Sequence, residues 1–412
     1  MQVQQLVFTA QQAMQTGRLE EAARLWSQVL SVSPGHPQAL FHLGQHRLYS
    51  GNPKGALELL QSAANADPKN ALIPLNISFA WRALADTPAE LAALDQAVRT
   101  DPYCFPALLA KGAALQRIGK PRQAARVFRD ALAIAPPDEH LPPEIRTTIA
   151  RARDVIRENA AQLEAELTEK LKVLKAQHAE GQLDRFDEAA SALIGTKKVY
   201  TQQPTLLHYP RLPAIPFYER KDFPWIAQVE AATDRIREEL QSLVQGQANE
   251  FRPYLSQPMG AQAEYAPHWN AFFLWRDGKK VEENCVRCPE TARMLDSLPL
   301  AQVPGAAPTA FFSALDPKSG IPPHTGVTNT RLIVHLPLVV PETCWFRVGN
   351  ERREWRTGEA LIFDDTIEHE AWNGSDHLRT LLIFDIWNPY LGDAERELVS
   401  ALMATVLEYY RD

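Results

Sequence analysis

Three histidines in the C-terminal part of the chain carry the residue type that most often supplies metal or proton chemistry. They are His324 in Pro322-Pro323-His324-Thr325-Gly326, His335 within an apolar run, and His369 in Phe363-Asp364-Asp365-Thr366-Ile367-Glu368-His369-Glu370. A neutral imidazole is a common metal ligand and titrates near physiological pH. Taken singly, each is more often a hydrogen-bonded rim residue than a ligand. His324 and His369 stand just before and just after predicted strands, so the rim of a barrel could bring them together although 45 positions separate them. Cys285 and Cys288 form a CxxC, but no second pair or nearby histidine accompanies them, and they are assigned no role.

The elements that must position these side chains change character along the chain. From about residue 305 the pattern is of short strands: Thr330 to Val340, Cys344 to Val348, Ala360 to Phe363 and Thr380 to Trp387, with turn signals at Gly349-Asn350 and Asn373-Gly374. Such spacing predicts a β-sandwich or barrel with helices segregated to one side, not a doubly wound sheet. Helical apolar spacing predicts a helix over Glu230 to Val244, another over 390–410, and one long connecting helix over 143–177, a stretch without glycine. Pro204, Pro210, Pro213, Pro216 and Pro224 forbid continuous helix between 204 and 224 and set a domain boundary near residue 200.

The N-terminal third repeats itself. Pro34, Pro68, Pro102 and Pro136 recur every 34 residues, as do Gly17, Gly51, Ala85 and Gly119. Apolar columns share the register: Trp26, Leu60, Leu94 and Phe128, then Val29, Ala63, Ala97 and Ala131. Each unit reads as a helical hairpin closed by proline. This resembles the tetratricopeptide repeat, with Leu43-Gly44 and Gly112 at the first-helix positions and departures at Ser78 and Glu90 in the third unit. The resemblance implies a solenoid with a concave surface that binds peptides, or one that only supports or dimerises its neighbour.

Between 323 and 389 many separated columns coincide with one family: Pro323-His324-Thr325-Gly326 through Arg331-Leu332, His335-Leu336, Arg347-Val348-Gly349, Trp355, Gly358, Phe363-Asp364-Asp365, Glu368-His369-Glu370, Trp372-Asn373 and Asp385-Ile386-Trp387-Asn388-Pro389. Over roughly 205–392 the chain resembles the aspartyl/asparaginyl β-hydroxylases. The resemblance implies a double-stranded β-helix (jelly-roll) that binds Fe(II) and uses 2-oxoglutarate and O2 to hydroxylate the β-carbon of an Asp or Asn side chain, releasing succinate and CO2. Carried across, it implies that His324 and His369 bind the metal and that no carboxylate ligand is present. Gly326 stands where such a ligand would fall. It further implies Asp365 as the acidic group that orients an iron-bound water, and Arg379 as the partner of the distal cosubstrate carboxylate. Ser313, Trp275, His335 and Arg331 are the other implied cosubstrate contacts. The family often has a second arginine two residues before the strand histidine, where this chain has Ile333. Either Arg331 or His335 then handles the proximal carboxylate, or the cosubstrate sits differently, and Arg331 could equally pair with an acidic neighbour.

The expected organisation is multidomain α+β: a repeat solenoid over 1–140, a connecting helix and linker over 141–200, and a double-stranded β-helix domain with flanking helices over 201–412. At 412 residues more than one core is expected. With 45% hydrophobic and 23% charged residues the chain is not of a disordered class, and a net charge of −7 offers no basic field for nucleic acid. No apolar run reaches a membrane span, and Met1 to Gln5 lacks signal-peptide character, so a cytoplasmic enzyme is expected, consistent with four cysteines. The expected partner is a peptide or protein substrate held by the repeat groove. Monomer and homodimer both remain open. Two further readings stand beside the hydroxylase: a 2-oxoglutarate-dependent halogenase, in which chloride takes the position freed by Gly326, and a catalytically dead repeat scaffold.

Overall fold

The computed structural model describes residues 2–178, 183–245, 251–255 and 268–410. The chain divides into two compact units, 1–196 and 197–412. In the first, eight helices pair as successive hairpins: α1 (Gln2–Gln15), α2 (Leu19–Val32), α3 (Pro37–Tyr49), α4 (Pro53–Ala66), α5 (Leu72–Ala83), α6 (Thr87–Thr100), α7 (Phe105–Arg117) and α8 (Pro121–Ala133). The 33-residue helix α9 (Pro143–Lys175) and then α10 (Asp184–Ile194) follow.

The repeat columns have physical causes. Gly17, Gly51, Ala85 and Gly119 all take positive φ, between 60° and 77°, at the turn inside each hairpin. Three units use glycine there, and the third holds an alanine against the Cβ penalty of about 1 kcal/mol. Trp26, Leu60, Leu94 and Phe128 fill the space between hairpin helices and are at most 1% exposed. Opposite them, a Cβ on Gly44 would overlap the Leu60 side chain and one on Gly112 the Phe128 ring, so glycine fits those two crossings without displacing either. In the third unit the equivalent Ser78 is tolerated because its hydroxyl donates to Leu75 O at 2.6 Å. The buried Glu90 is tolerated because it pairs with Arg117.

The second unit holds two antiparallel sheets. The larger has the order β1 (Arg252–Pro253), β2 (Trp269–Arg276), β4 (Ala310–Leu315), β11 (Arg379–Trp387), β6 (Arg331–Val339), β9 (Leu361–Phe363), with β3 (Lys279–Lys280) on β2. The smaller is β5 (Ser319–His324), β10 (His369–Asn373), β7 (Cys344–Val348) and β8 (Glu351–Arg353). Among the described residues the sheets stay open rather than closing a barrel. Pro322 and Pro323 in β5 lack the N–H that a further strand would require, which confines β5 to an edge. One face of the large sheet packs on α11 (Ile226–Ala231), α12 (Thr233–Gln245), α13 (Glu282–Arg287) and α14 (Pro289–Asp296) through Phe272, Leu274, Phe312, Val334 and Phe384. The other face meets the small sheet through Trp269, Phe311, Phe346, Phe363 and Ile383. Central β11 is therefore covered on both faces and apolar almost throughout. The helix expected over Glu230 to Val244 is two helices turning at Ala232, where the Thr233 hydroxyl donates to Glu230 O at 2.7 Å. A terminal helix α15 (Asp393–Tyr409) buries Val399 and Met403.

Candidate active site

Strands β5 and β10 are hydrogen-bonded neighbours whose register sets His324 directly across from His369. Their ring centroids are 4.1 Å apart. Each ring is oriented by its own backbone: His324 Nδ1 donates to Pro322 O at 2.8 Å and His369 Nδ1 to Ile367 O at 3.1 Å. A carbonyl oxygen only accepts, so both Nδ1 atoms carry the proton and both Nε2 atoms keep a lone pair. Burial lowers the pKa of His324, and burial together with the neighbouring His324 pushes His369 well below its ordinary value. The pair is held neutral and able to donate electrons to a cation. Among the described residues no third His, Cys, Asp or Glu joins them as a metal-ligand set.

The histidines line a cavity of about 130 Å³ between the sheets, together with Tyr254, Trp269, Arg331, Ile333, His335, Asp365 and Arg379. That is room for only a compact ligand, below the size of a drug-sized pocket. Arg379, at the first position of β11, is 1% exposed, and among the described residues no carboxylate pairs with it. Its guanidinium lies 4.8 Å from the Trp355 ring centroid and donates to Ser313 Oγ at 3.4 Å, while Nε has no partner. Burial lowers its pKa to about 10. An isolated buried cation is costly, so a site that keeps one is built for an anion. His335 Nδ1 and Trp355 Nε1 are likewise buried without partners, and His335 is held neutral by burial and by Arg379.

Asp365 sits in the turn before β10, its Oδ1 unpartnered and its backbone carbonyl accepting from Gly326 N at 2.7 Å. A Cβ at Gly326 would overlap the Asp365 carboxyl group, which therefore occupies the space a side chain at 326 would take. Burial raises its pKa to about 7, with Arg331 opposing and Asp364 and Asp385 reinforcing the rise. Arg331 forms an ion pair with the buried Asp385 and retains an unpartnered Nε. Ile333 lines the cavity beside it.

His324, His369, Asp365, Arg379, His335 and Arg331 thus converge on one cavity, with Ser313 behind Arg379. Trp275 does not join them. By strict alternation it would share a face with Trp269, Ala271 and Phe273, but the bulge between Phe273 and Trp275 sets it opposite Ala310, in the layer under the helices. The indole in the cavity is Trp269, which donates to Ser313 Oγ at 3.1 Å and stacks on Tyr254 at 4.0 Å between centroids. Trp269 and Tyr254 were not anticipated. The alternation of β2 could have found Trp269 had that strand been recognised, whereas Tyr254 carries no local signal.

Residues 230–389 match the family model described as aspartyl/asparaginyl beta-hydroxylase, and residues 13–74 match a tetratricopeptide repeat. The aspartyl/asparaginyl beta-hydroxylase of Homo sapiens is 38% identical over 136 residues, 32% of this chain and 18% of that protein. The ornithine lipid ester-linked acyl 2-hydroxylase of Rhizobium tropici is 35% identical over 188 residues, 44% of this chain and 64% of that protein. The chain thus matches less than two thirds of either relative's length. Among solved structures, a thermophilic TPR protein of Thermus thermophilus is 25% identical, with a TM-score of 0.33, covering 47% of this chain and 99% of that one. The chain therefore carries a segment that matches the tetratricopeptide repeat and a later stretch that matches the aspartyl/asparaginyl β-hydroxylase family model.

Proposed function

We propose that this protein is an Fe(II)- and 2-oxoglutarate-dependent dioxygenase that hydroxylates the β-carbon of an Asp or Asn side chain in a peptide or protein, with the repeats recruiting that substrate. The observation that carries the reading is Arg379, a buried guanidinium that among the described residues has no carboxylate partner, in the same small cavity as two neutral imidazoles with free Nε2 atoms. In this reading the two antiparallel sheets that face across the cavity serve as the framework of a double-stranded β-helix.

In this reading His324 and His369 hold the iron, and the backbone carbonyls on their Nδ1 atoms fix the rings. Arg379, with Ser313 and Trp269 ordered behind it, binds the distal carboxylate of 2-oxoglutarate. His335 and Arg331 flank its other end. Bound iron, 2-oxoglutarate and O2 together supply the oxidising chemistry that inserts oxygen into an unactivated C–H bond, with succinate and CO2 as coproducts. Asp365, buried with a pKa near 7, holds or releases a proton beside the histidines and orients water there. The wall of Tyr254, Phe311, Ile321, Phe346, Phe363 and Ile383 excludes bulk solvent.

A second substrate reading, hydroxylation of an acyl chain, is favoured by the apolar rim at Ile333 and by the name of the Rhizobium tropici relative. A halogenase is disfavoured, because the Asp365 carboxyl group already fills the space at Gly326 that chloride would need. Anaerobic titration of metal-free protein with Fe(II) and 2-oxoglutarate tests the central claim. A visible charge-transfer band is expected in wild type, absent in His369→Ala and weakened in Arg379→Ala. No band in wild type would overturn it. Succinate release with Asp- and Asn-containing peptides against an acyl ester then separates the two substrate readings.

A further inference from the structure

At the end of the repeat array, helices α5, α7, α8 and α9 enclose a second, larger cavity of about 580 Å³. Its walls carry three guanidinium groups, Arg82 from α5, Arg117 from α7 and Arg151 from α9, with Gln116 and Thr147 between them and Ala113 and Phe128 as an apolar floor. Arg117 is the outer half of an ion pair with Glu90, whose carboxylate lies under it, only 5% exposed. That pair presents the remaining donors of the guanidinium outward. Arg82 and Arg151 are exposed, and among the described residues neither has a carboxylate partner. Three positive charges therefore face one negative one, on a chain whose net charge is −7.

We infer that this cavity is a binding site for an acidic peptide segment, whose carboxylates are held by Arg82 and Arg151 with Arg117 between them. Three features support the assignment. Guanidinium forks match carboxylates bidentately, and lysine, which would serve for diffuse attraction, is absent from the lining. A volume of 580 Å³ is far more than one small anion fills and suits several residues of chain. The floor at half-buried Ala113 gives a non-acidic side chain of such a segment apolar contact, Phe128 itself being only 1% exposed. A local cationic pocket on an otherwise anionic protein also steers an acidic ligand to one place. The site does not depend on the chemistry between the sheets, so binding here is read without turnover.

The experiment is fluorescence anisotropy of the full chain with a labelled Asp/Glu-rich octapeptide, its Asn/Gln counterpart, and inorganic phosphate as competitor. The acidic peptide is expected to bind and the neutral one to bind much more weakly. The Arg82→Gln/Arg151→Gln variant, which removes no intramolecular ion pair, is expected to keep its helical circular dichroism and lose about fivefold in affinity. Raising the salt should weaken wild type more than the variant. Equal binding of both peptides, or an unchanged affinity in the folded double variant, would overturn the site. Phosphate that displaces the peptide with an affinity equal to the peptide's own would reassign the cavity to a free oxyanion and overturn the peptide assignment.

Discussion

Arg379→Met should make the ligand-free protein more stable while destroying its capture of 2-oxoglutarate. Burial lowers the Arg379 pKa from 12.5 to about 10, so at pH 7.5 the guanidinium is charged in both folded and unfolded chains and the folded chain carries the whole cost. At 1.36 kcal/mol per unit this is about 3 kcal/mol. The contact with the Trp355 ring returns about 1 kcal/mol, and the long bond to Ser313 about 0.5 kcal/mol. Methionine fills a similar volume with no charge to desolvate, so a net gain of about 1–2 kcal/mol is expected. Urea unfolding followed by tryptophan fluorescence reads this directly, since Trp225, Trp269, Trp275, Trp345, Trp355, Trp372 and Trp387 all lie in the second unit. In wild type, 2-oxoglutarate at about a hundred times its Kd should add about 2.7 kcal/mol, and in Arg379→Met nothing. The reasoning is refuted if the variant is the less stable protein without ligand, or if 2-oxoglutarate stabilises both proteins equally.

Other outcomes follow from the same geometry. Trp269→Phe removes the donor to Ser313 and should weaken 2-oxoglutarate binding about tenfold, whereas Trp275→Phe, in the other layer, should alter stability alone; calorimetry on both distinguishes them. Gly326→Ala places a methyl group against the Asp365 carboxyl and should cost about 1–3 kcal/mol of stability and most of the activity, read by denaturation and succinate release. Asp365 has a folded pKa near 7, above the unfolded 3.8, so its contribution to stability is full below pH 3.8 and is lost as pH rises through 7. The lowered histidines act in the opposite sense, gaining as pH rises to 6.5. Subtracting the stability profile of Asp365→Asn from that of wild type should therefore leave a difference that declines between about pH 4 and 7, and a flat difference would show that the carboxyl is not poised there.

Much of the helical region was legible before any coordinates, because each repeat solves the same local problem. The turn requires a left-handed residue at 17, 51, 85 and 119, and the crossing requires a small one at 44 and 112 against Leu60 and Phe128. These demands recur at a fixed interval and so appear as columns. The later strands β6, β7, β9 and β11 were likewise visible from apolar runs between turn signals. β2, β4 and β5 were not. β2 lies ahead of residue 305, where the strand pattern in the sequence begins, and β5 contains two prolines that read as a break, although an edge strand tolerates them.

For the site, residue types and family spacing named His324, His369, Asp365, Arg379, Ser313, His335 and Arg331, and these are the side chains found together or directly behind one another. What spacing could not supply was register. One extra residue in β2 turns Trp275 away and leaves Trp269 on Ser313, because a strand's side chains alternate and a bulge reverses the alternation beyond it. Only the tertiary structure decided that Arg331 is committed to Asp385 while Arg379 is left without a carboxylate, and that Asp365 fills the room beside Gly326. Sequence fixes which groups are available along the chain. Which of them end up desolvated, paired or facing an empty space depends on strands brought together from 45 and more residues apart, and desolvation and pairing set the charge each group carries.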